Sequence, residues 1–305
     1  MVTEKTLATE DNTLSQEQPV SKLRDYAAFV KLRLASLVVL SAAIAFVIGS
    51  HEVNWTKMLL LVLGGFLVTG SSNGFNQIIE RHLDKLMERT ANRPLPKERM
   101  TLVESYWVAL IMGVAGIAIL FVYMNPLSGL LGLTALLLYA LVYTPIKRIT
   151  PFAVFIGAFP GAIPPLLGYV ACSQGYGEIK FEAWLLFATQ FMWQFPHFWA
   201  IAWVAHNDYS KVGFKLLPSK EGPTRFTALQ SVMYAVLMIP IGFLPYYLHL
   251  TGQISMWILL VANIFMVVQC IRLYQNRGVP AARRVMFSSY IYLPIVYLAL
   301  LADKL

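Results

Sequence analysis

Apolar runs long enough to cross a bilayer recur nine times along this 305-residue chain, and they constrain its fold more than any other feature. They lie at about 33–50, 56–80, 102–122, 127–145, 151–171, 182–205, 227–248, 254–273 and 285–302. A hydrocarbon core of ~30 Å takes about 20 helical residues, and inside it every backbone polar group must be paired within its own segment. The chain is 57% hydrophobic and 13% charged, whereas a soluble domain carries about a quarter charged residues. The sequence predicts an all-α integral membrane protein. Nine transmembrane helices form one domain over 26–305, preceded by a polar arm over 1–25.

The basic residues orient it. With the N-terminus inside, all of the 24 lysines and arginines except Lys57, Lys180 and Lys304 fall in inner segments, as the positive-inside rule requires. The +8 net charge then reflects membrane anchors, and no nucleic-acid partner is implied. Trp55, Trp184 and Trp257 fall near the outer span ends, where an interfacial aromatic belt belongs. The arm has no apolar signal core, and Glu4, Glu10, Asp11 and Glu17 make a poor transit peptide. A bacterial inner (cytoplasmic) membrane is the expected location. Cys172 and Cys270 fall near opposite faces, which argues against a disulfide.

Polar residues collect at the inner ends of the even-numbered spans, so the active face is expected to be cytoplasmic. The densest cluster is Asn76, Glu80 and Asp84. A spacing of four puts these side chains within about 80° of arc on one helix face. Two are acids at a helix C-terminus, where the backbone carbonyls repel them. Such an arrangement calls for a cation, and Mg²⁺ prefers oxygen ligands of this kind. Arg89 and Arg93 follow closely, and carboxylates beside guanidiniums suggest the two halves of a diphosphate site. On the residues alone, a solvated helix end and plain membrane anchors are the competing readings. Lys147 and Arg148 divide evenly between anchor and ligand. Gln190, Gln194 and His197 share a face of the sixth span, and Asp208 extends that stripe if the helix persists past Pro196. His197 reads either as a packed, hydrogen-bonded histidine or as a ligand. Trp193 reads more readily as packing than as a cofactor contact. Gly157 and Gly161 have the small-xxx-small spacing of close helix contacts, and Pro160, Pro164 and Pro165 mark the fifth span as irregular.

The run Asn76-x-x-x-Glu80-x-x-x-Asp84 resembles the Asn-x-x-x-Asp-x-x-x-Asp signature of the UbiA superfamily of intramembrane prenyltransferases, with glutamate in place of the first aspartate. Further blocks resemble its protohaem IX farnesyltransferase (haem O synthase) branch. They are Met87-Glu88-Arg89-Thr90, Arg93-Pro94-Leu95-Pro96, Tyr143-Thr144-Pro145 with Lys147-Arg148, Gly161-Ala162-Ile163-Pro164-Pro165, and Trp193-Gln194-Phe195-Pro196-His197-Phe198. The resemblance spans the chain after the arm. It implies a UbiA-type bundle around a central cavity, and farnesyl transfer from farnesyl diphosphate to a vinyl group of protohaem IX (haem B). Asn76, Glu80, Asp84 and Asp208 would hold Mg²⁺; Arg89, Arg93, Lys147 and Arg148 would bind and neutralise the diphosphate. His197, with Gln194 and Trp193, would contact haem. Haem A synthase or a terminal oxidase assembly would be the downstream partner. Two departures stand out: Leu32 interrupts a Lys-Pro-Arg pattern, weakening Lys31 and Arg33 as contacts, and the second acidic motif is reduced to Asp208. A quinone-precursor prenyltransferase is the nearest rival; a transporter or a non-catalytic haem-binding subunit is a rival of another class.

Overall fold

The computed structural model describes residues 21–219 and 221–305. The arm over 1–25 lies outside the described residues up to position 20. A short helix, α1 (Lys22–Phe29), opens across the expected arm boundary. The long helices are α2 (Leu32–Gly49), α3 (Trp55–Asp84), α4 (Leu102–Met124), α5 (Pro126–Ile146), α6 (Ala153–Val170), α7 (Phe181–Val204), α9 (Arg225–Tyr247), α10 (Gln253–Asn276) and α11 (Val279–Ala302). A six-residue helix, α8 (His206–Lys211), follows α7. Among the described residues, then, nine long helices stand where nine spans are expected. Eight of them combine span length with high hydropathy. The ninth, α7, has the 24-residue length but spends several positions on Gln190, Gln194 and His197.

Contacts at the end of the bundle where α3 begins tie the helix termini together. The Lys304 ammonium donates to the carbonyls of Val47 and Ser50 at the end of α2, and Gly252 N–H donates to the Asp303 carbonyl. Leu37, Leu59, Ile111, Val122, Val261 and Ile291 are exposed on the outside of the bundle, as a lipid-facing girdle requires, and Trp55, Trp184 and Trp257 are exposed near the starts of α3, α7 and α10. Both cysteines are free.

Two helices contain π turns. In α5 the π segment is Leu138–Tyr143, just before Thr144-Pro145. Pro145 has no N–H to donate and its ring crowds the preceding turn, and the Thr144 hydroxyl takes up the Tyr139 carbonyl at 2.8 Å. Such bulges re-aim side chains and often stand at functional sites. In α6 the prolines do not interrupt the helix. Pro165 leaves the Gly161 carbonyl without its helical donor, and Gln190 Nε2 of α7 supplies one at 2.7 Å. Gln194 Nε2 donates to the Ala158 carbonyl at 2.9 Å, and a Cβ at Gly161 would strike the Gln194 amide. The small-xxx-small spacing is therefore a packing feature, with Gly157 set against the Tyr143 ring.

Pro196 likewise sits within a continuous α7, but the helix ends at Val204. The stripe expected to run from His197 to Asp208 is broken at Ala205 (φ −94°, ψ 13°), so Asp208 rides on α8 with a different orientation.

Candidate functional site

The C-terminal half of α3 carries a stripe of buried polar side chains that includes Ser71, Asn73, Asn76, Gln77, Glu80 and Asp84. Buried polar groups need partners, and here several come from other elements. Asn76 Nδ2 donates to Glu80 Oε2 at 3.0 Å and to Thr144 Oγ1 at 3.2 Å. Arg93 Nη1 donates to both Asp84 oxygens, at 2.9 and 2.8 Å. Lys147 Nζ stands 2.5 Å from Glu80 Oε1. Both side chains are almost fully buried, so the Lys147 ammonium is the partner of an oxygen that no other group reaches among the described residues. The two carboxylates that oppose the helix dipole are thus neutralised by cations from the loop after α3 and the end of α5.

Lys31 completes the group. It stands in the turn between α1 and α2 in the left-handed region (φ 53°), and its Nζ donates to Asn76 Oδ1 at 3.3 Å. The turn is tied down from α3: Gln77 Nε2 donates to the Phe29 carbonyl at 2.6 Å and Asn73 Nδ2 to the Val30 carbonyl at 3.1 Å. Burial, with Arg93 and Lys147 nearby, pulls the Lys31 ammonium down to about 7, against the opposing pull of Glu80 and Asp84. The buried Asp25–Arg99 pair, at 2.8 Å, fastens α1 to the same loop that carries Arg93.

The remaining candidates are distributed around this centre. Arg89 donates to the Tyr209 hydroxyl at 2.8 Å and lies 5.1 Å from that ring's centroid; burial raises the Tyr209 phenol, which stays protonated. Asp208 accepts from the backbone N–H groups of Glu88 (3.4 Å) and Arg89 (3.2 Å) and pairs with Lys211 at 3.1 Å. Its oxygens cap the loop after α3 and dock α8 onto it. Among the described residues, no three His, Cys, Asp or Glu side chains converge as a metal cluster. The oxygen set on α3 is accordingly Asn76, Glu80 and Asp84, with Asp208 engaged elsewhere. Lys147 is buried beneath Phe214 (4.5 Å) and Tyr143 (5.5 Å), whereas Arg148 is exposed.

The third cluster forms between α7 and α11. The Trp193 and His197 rings stack at 4.3 Å and 18°, Trp193 Nε1 donates to the Ser289 carbonyl at 3.0 Å, and His197 Nδ1 meets Ser289 Oγ at 2.8 Å. Gln194, on the neighbouring edge, is held by α6.

Sequence reasoning gave Lys31 too little weight and overlooked Tyr209 and Ser289. Lys31 depends on how a turn packs, and Ser289 is an unremarkable serine in an apolar span. One groove, of about 440 Å³, runs along α10 and α11 past Trp257 and Ile291, away from the ionic cluster; another, of about 380 Å³, adjoins the cluster, with Tyr209 and Phe214 in its wall beside His206 and Lys215.

The sequence model of the UbiA prenyltransferase family matches residues 36–291. The protohaem IX farnesyltransferase of Cytophaga hutchinsonii is 43% identical over 93% of this chain and 99% of its own length. That of Christiangramia forsetii is 39% identical over 96% of this chain and 97% of its own. Among solved structures, a digeranylgeranylglyceryl phosphate synthase superposes with a TM-score of 0.77 at 21% identity, covering 93% of this chain and 99% of its own. A UbiA homologue from Archaeoglobus fulgidus bound to GPP and Mg²⁺ does so with a TM-score of 0.70 at 13% identity, covering 90% and 99%. At those identities the likeness concerns the fold.

Proposed function

The chain belongs to the UbiA prenyltransferase family, and on that footing we propose that it transfers farnesyl from farnesyl diphosphate to a vinyl group of protohaem IX, with addition of water, giving haem O and diphosphate. The observation that carries the reading is the interlocked set at one end of the bundle, with buried Glu80 and Asp84 paired to Lys147 and Arg93 and with Lys31 hydrogen-bonded to Asn76 beside them. A transporter would not require a metal–diphosphate constellation confined to one face.

The α3 side chains fit Mg²⁺: Asn76, Glu80 and Asp84 offer hard, buried oxygen donors on one helix face, with Asn76 and Glu80 already in contact. When bound, the ion would supply Lewis-acid stabilisation of the departing diphosphate. Asn76, Glu80 and Asp84 would hold it. Arg93 and Lys147 would exchange their carboxylates for phosphate oxygens, and Arg89 would join them from the Tyr209 side. As the farnesyl C–O bond breaks, these fixed cations take the charge that develops on the leaving group, and their low-dielectric setting strengthens the effect. The ring pair Tyr139/Tyr143, 5.3 Å between centroids beside Thr144, offers π faces to the allylic cation. The vinyl carbon then bonds to the farnesyl C1, and water adds to the cation left beside the porphyrin.

His197, stacked on Trp193 and flanked by Tyr290 at 5.3 Å, would contact the haem. On the positive-inside pattern this chemistry would lie at the cytoplasmic face of an inner membrane, and the product would pass to a terminal oxidase pathway. The test is mass spectrometry of haem after incubating the purified protein with farnesyl diphosphate and Mg²⁺. Haem carrying a hydroxyethylfarnesyl group is the expected product. Unmodified haem, with a phenolic quinone precursor prenylated instead, would overturn the proposal.

A further inference from the structure

We infer that Ser289 is a positioning residue: it fixes the tautomer of His197 and leaves the Nε2 lone pair available to the iron of a metalloporphyrin. The inference rests on the haem reading of His197 given above.

Ser289 is fully buried on α11 and makes two contacts through its hydroxyl. Its oxygen lies 2.6 Å from the Met286 carbonyl oxygen and 2.8 Å from His197 Nδ1. Two oxygens at the first distance need a proton between them, and a carbonyl has none to give, so the hydroxyl proton points to Met286. The hydroxyl oxygen is then left only as an acceptor towards the ring. Nδ1 must carry the imidazole proton, and in a neutral ring Nε2 must carry the lone pair. No hydrogen bond to Nε2 is formed among the described residues, and 9% of the His197 surface remains exposed.

The remaining surroundings hold the ring in place. Trp193 covers one face, and its own N–H is anchored on the Ser289 carbonyl, so a single residue of α11 orients both rings. Tyr290, edge-on to the His197 ring at 5.3 Å, and Phe287 next to it are both exposed, which leaves an approach for a flat, largely apolar macrocycle. A hydrogen bond from the distal nitrogen of a ligating histidine fixes its orientation and raises its basicity, and losing such a partner costs about 10- to 100-fold in metal affinity.

The test titrates ferric protohaem into the detergent-purified full chain and into its Ser289→Ala, Ser289→Thr and His197→Ala variants. Dissociation constants and the Soret and EPR spectra are recorded. Farnesyl diphosphate binding in the presence of Mg²⁺ serves as the folding control. Ser289→Ala should bind haem about 10- to 100-fold more weakly, with a shifted axial-ligand signature. Ser289→Thr should keep the wild-type spectrum, and His197→Ala should lose the histidine-ligated signal. A Ser289→Ala protein matching wild type in affinity and spectrum overturns the role of Ser289 while leaving His197 in place. A His197→Ala protein with an unchanged spectrum removes the iron contact itself, and this inference with it.

Discussion

Replacing Lys147 with Met isolates one ionic interaction at the centre of the site. Methionine preserves an unbranched stem against Phe214 and Tyr143 and removes only the ammonium. Lys147 and Glu80 are both nearly buried, with 8% and 5% of their side chains exposed. Breaking a pair of this kind strands a buried charge, at a cost of about 3–5 kcal/mol. Asn76 Nδ2 is the one remaining hydrogen-bond donor to Glu80, so little of that cost is recovered locally. At roughly 2–4 °C per kcal/mol, the apparent melting temperature in EDTA should fall by something on the order of 10 °C. Added Mg²⁺ should then separate the two proteins. In wild type it must compete with an ammonium already on Glu80; in Lys147→Met it meets a free carboxylate, binds more tightly and stabilises the fold by mass action. Melting followed by tryptophan fluorescence, with Mg²⁺ titrated into both proteins, gives the comparison. The double variant Lys147→Met, Glu80→Gln provides the coupling energy and should regain much of the lost stability. Equal melting temperatures in EDTA, or equal stabilisation of both proteins by Mg²⁺, would refute the competition between ammonium and metal.

Glu80→Gln and Asp84→Asn should each abolish farnesyl transfer in a protein that still inserts and folds, and near-normal turnover in both would remove the metal assignment. Asp208→Asn should reduce activity about 10-fold or more through loss of charge-assisted capping of the Arg89 loop, with an unchanged Mg²⁺ requirement; a large rise in the Mg²⁺ needed would make Asp208 a metal ligand instead. Gly161→Ala should lower stability by about 1–3 kcal/mol through overpacking against the Gln194 amide, read as a drop in melting temperature. Burial pushes the Cys172 thiol above its ordinary range. The folded chain therefore holds this proton more tightly than the unfolded one, and the associated stability is lost as pH rises past the ordinary thiol value. Maleimide labelling of Cys172 should be slow at neutral pH and keep accelerating above pH 9.0, the ordinary value; a rate that levels off below it contradicts this.

Physical scale governs what could be read from the chain alone. The spans were legible because the bilayer imposes one length and one composition on each; the run at 254–273 corresponds to Gln253–Asn276. The Asn76–Glu80–Asp84 face was legible because a helix converts a spacing of four into adjacency. Asp208 was harder to place, since a stripe across eleven residues holds only in an unbroken helix, and Ala205 breaks it. Lys31 and Ser289 depend on contacts between elements far apart in sequence, and no local periodicity encodes those.

The pairing of the site with itself also accounts for its stability without a ligand. Two buried carboxylates at a helix C-terminus and three cations at the edge of a membrane would each be costly alone. Together the two carboxylates are balanced by Arg93 and Lys147 at ion-pair distance, with Lys31 hydrogen-bonded to Asn76 beside them. A magnesium-bound diphosphate ester is itself a net anion with both kinds of partner, metal for the carboxylates and oxygens for the cations. It can replace every internal pair without stranding a buried charge. Mg²⁺ alone would leave the cations unpaired, and diphosphate alone would leave the carboxylates so. On the proposed function the geometry therefore favours joint binding over either component separately, with Lys147 and Arg93 as the internal partners that the ligand would replace.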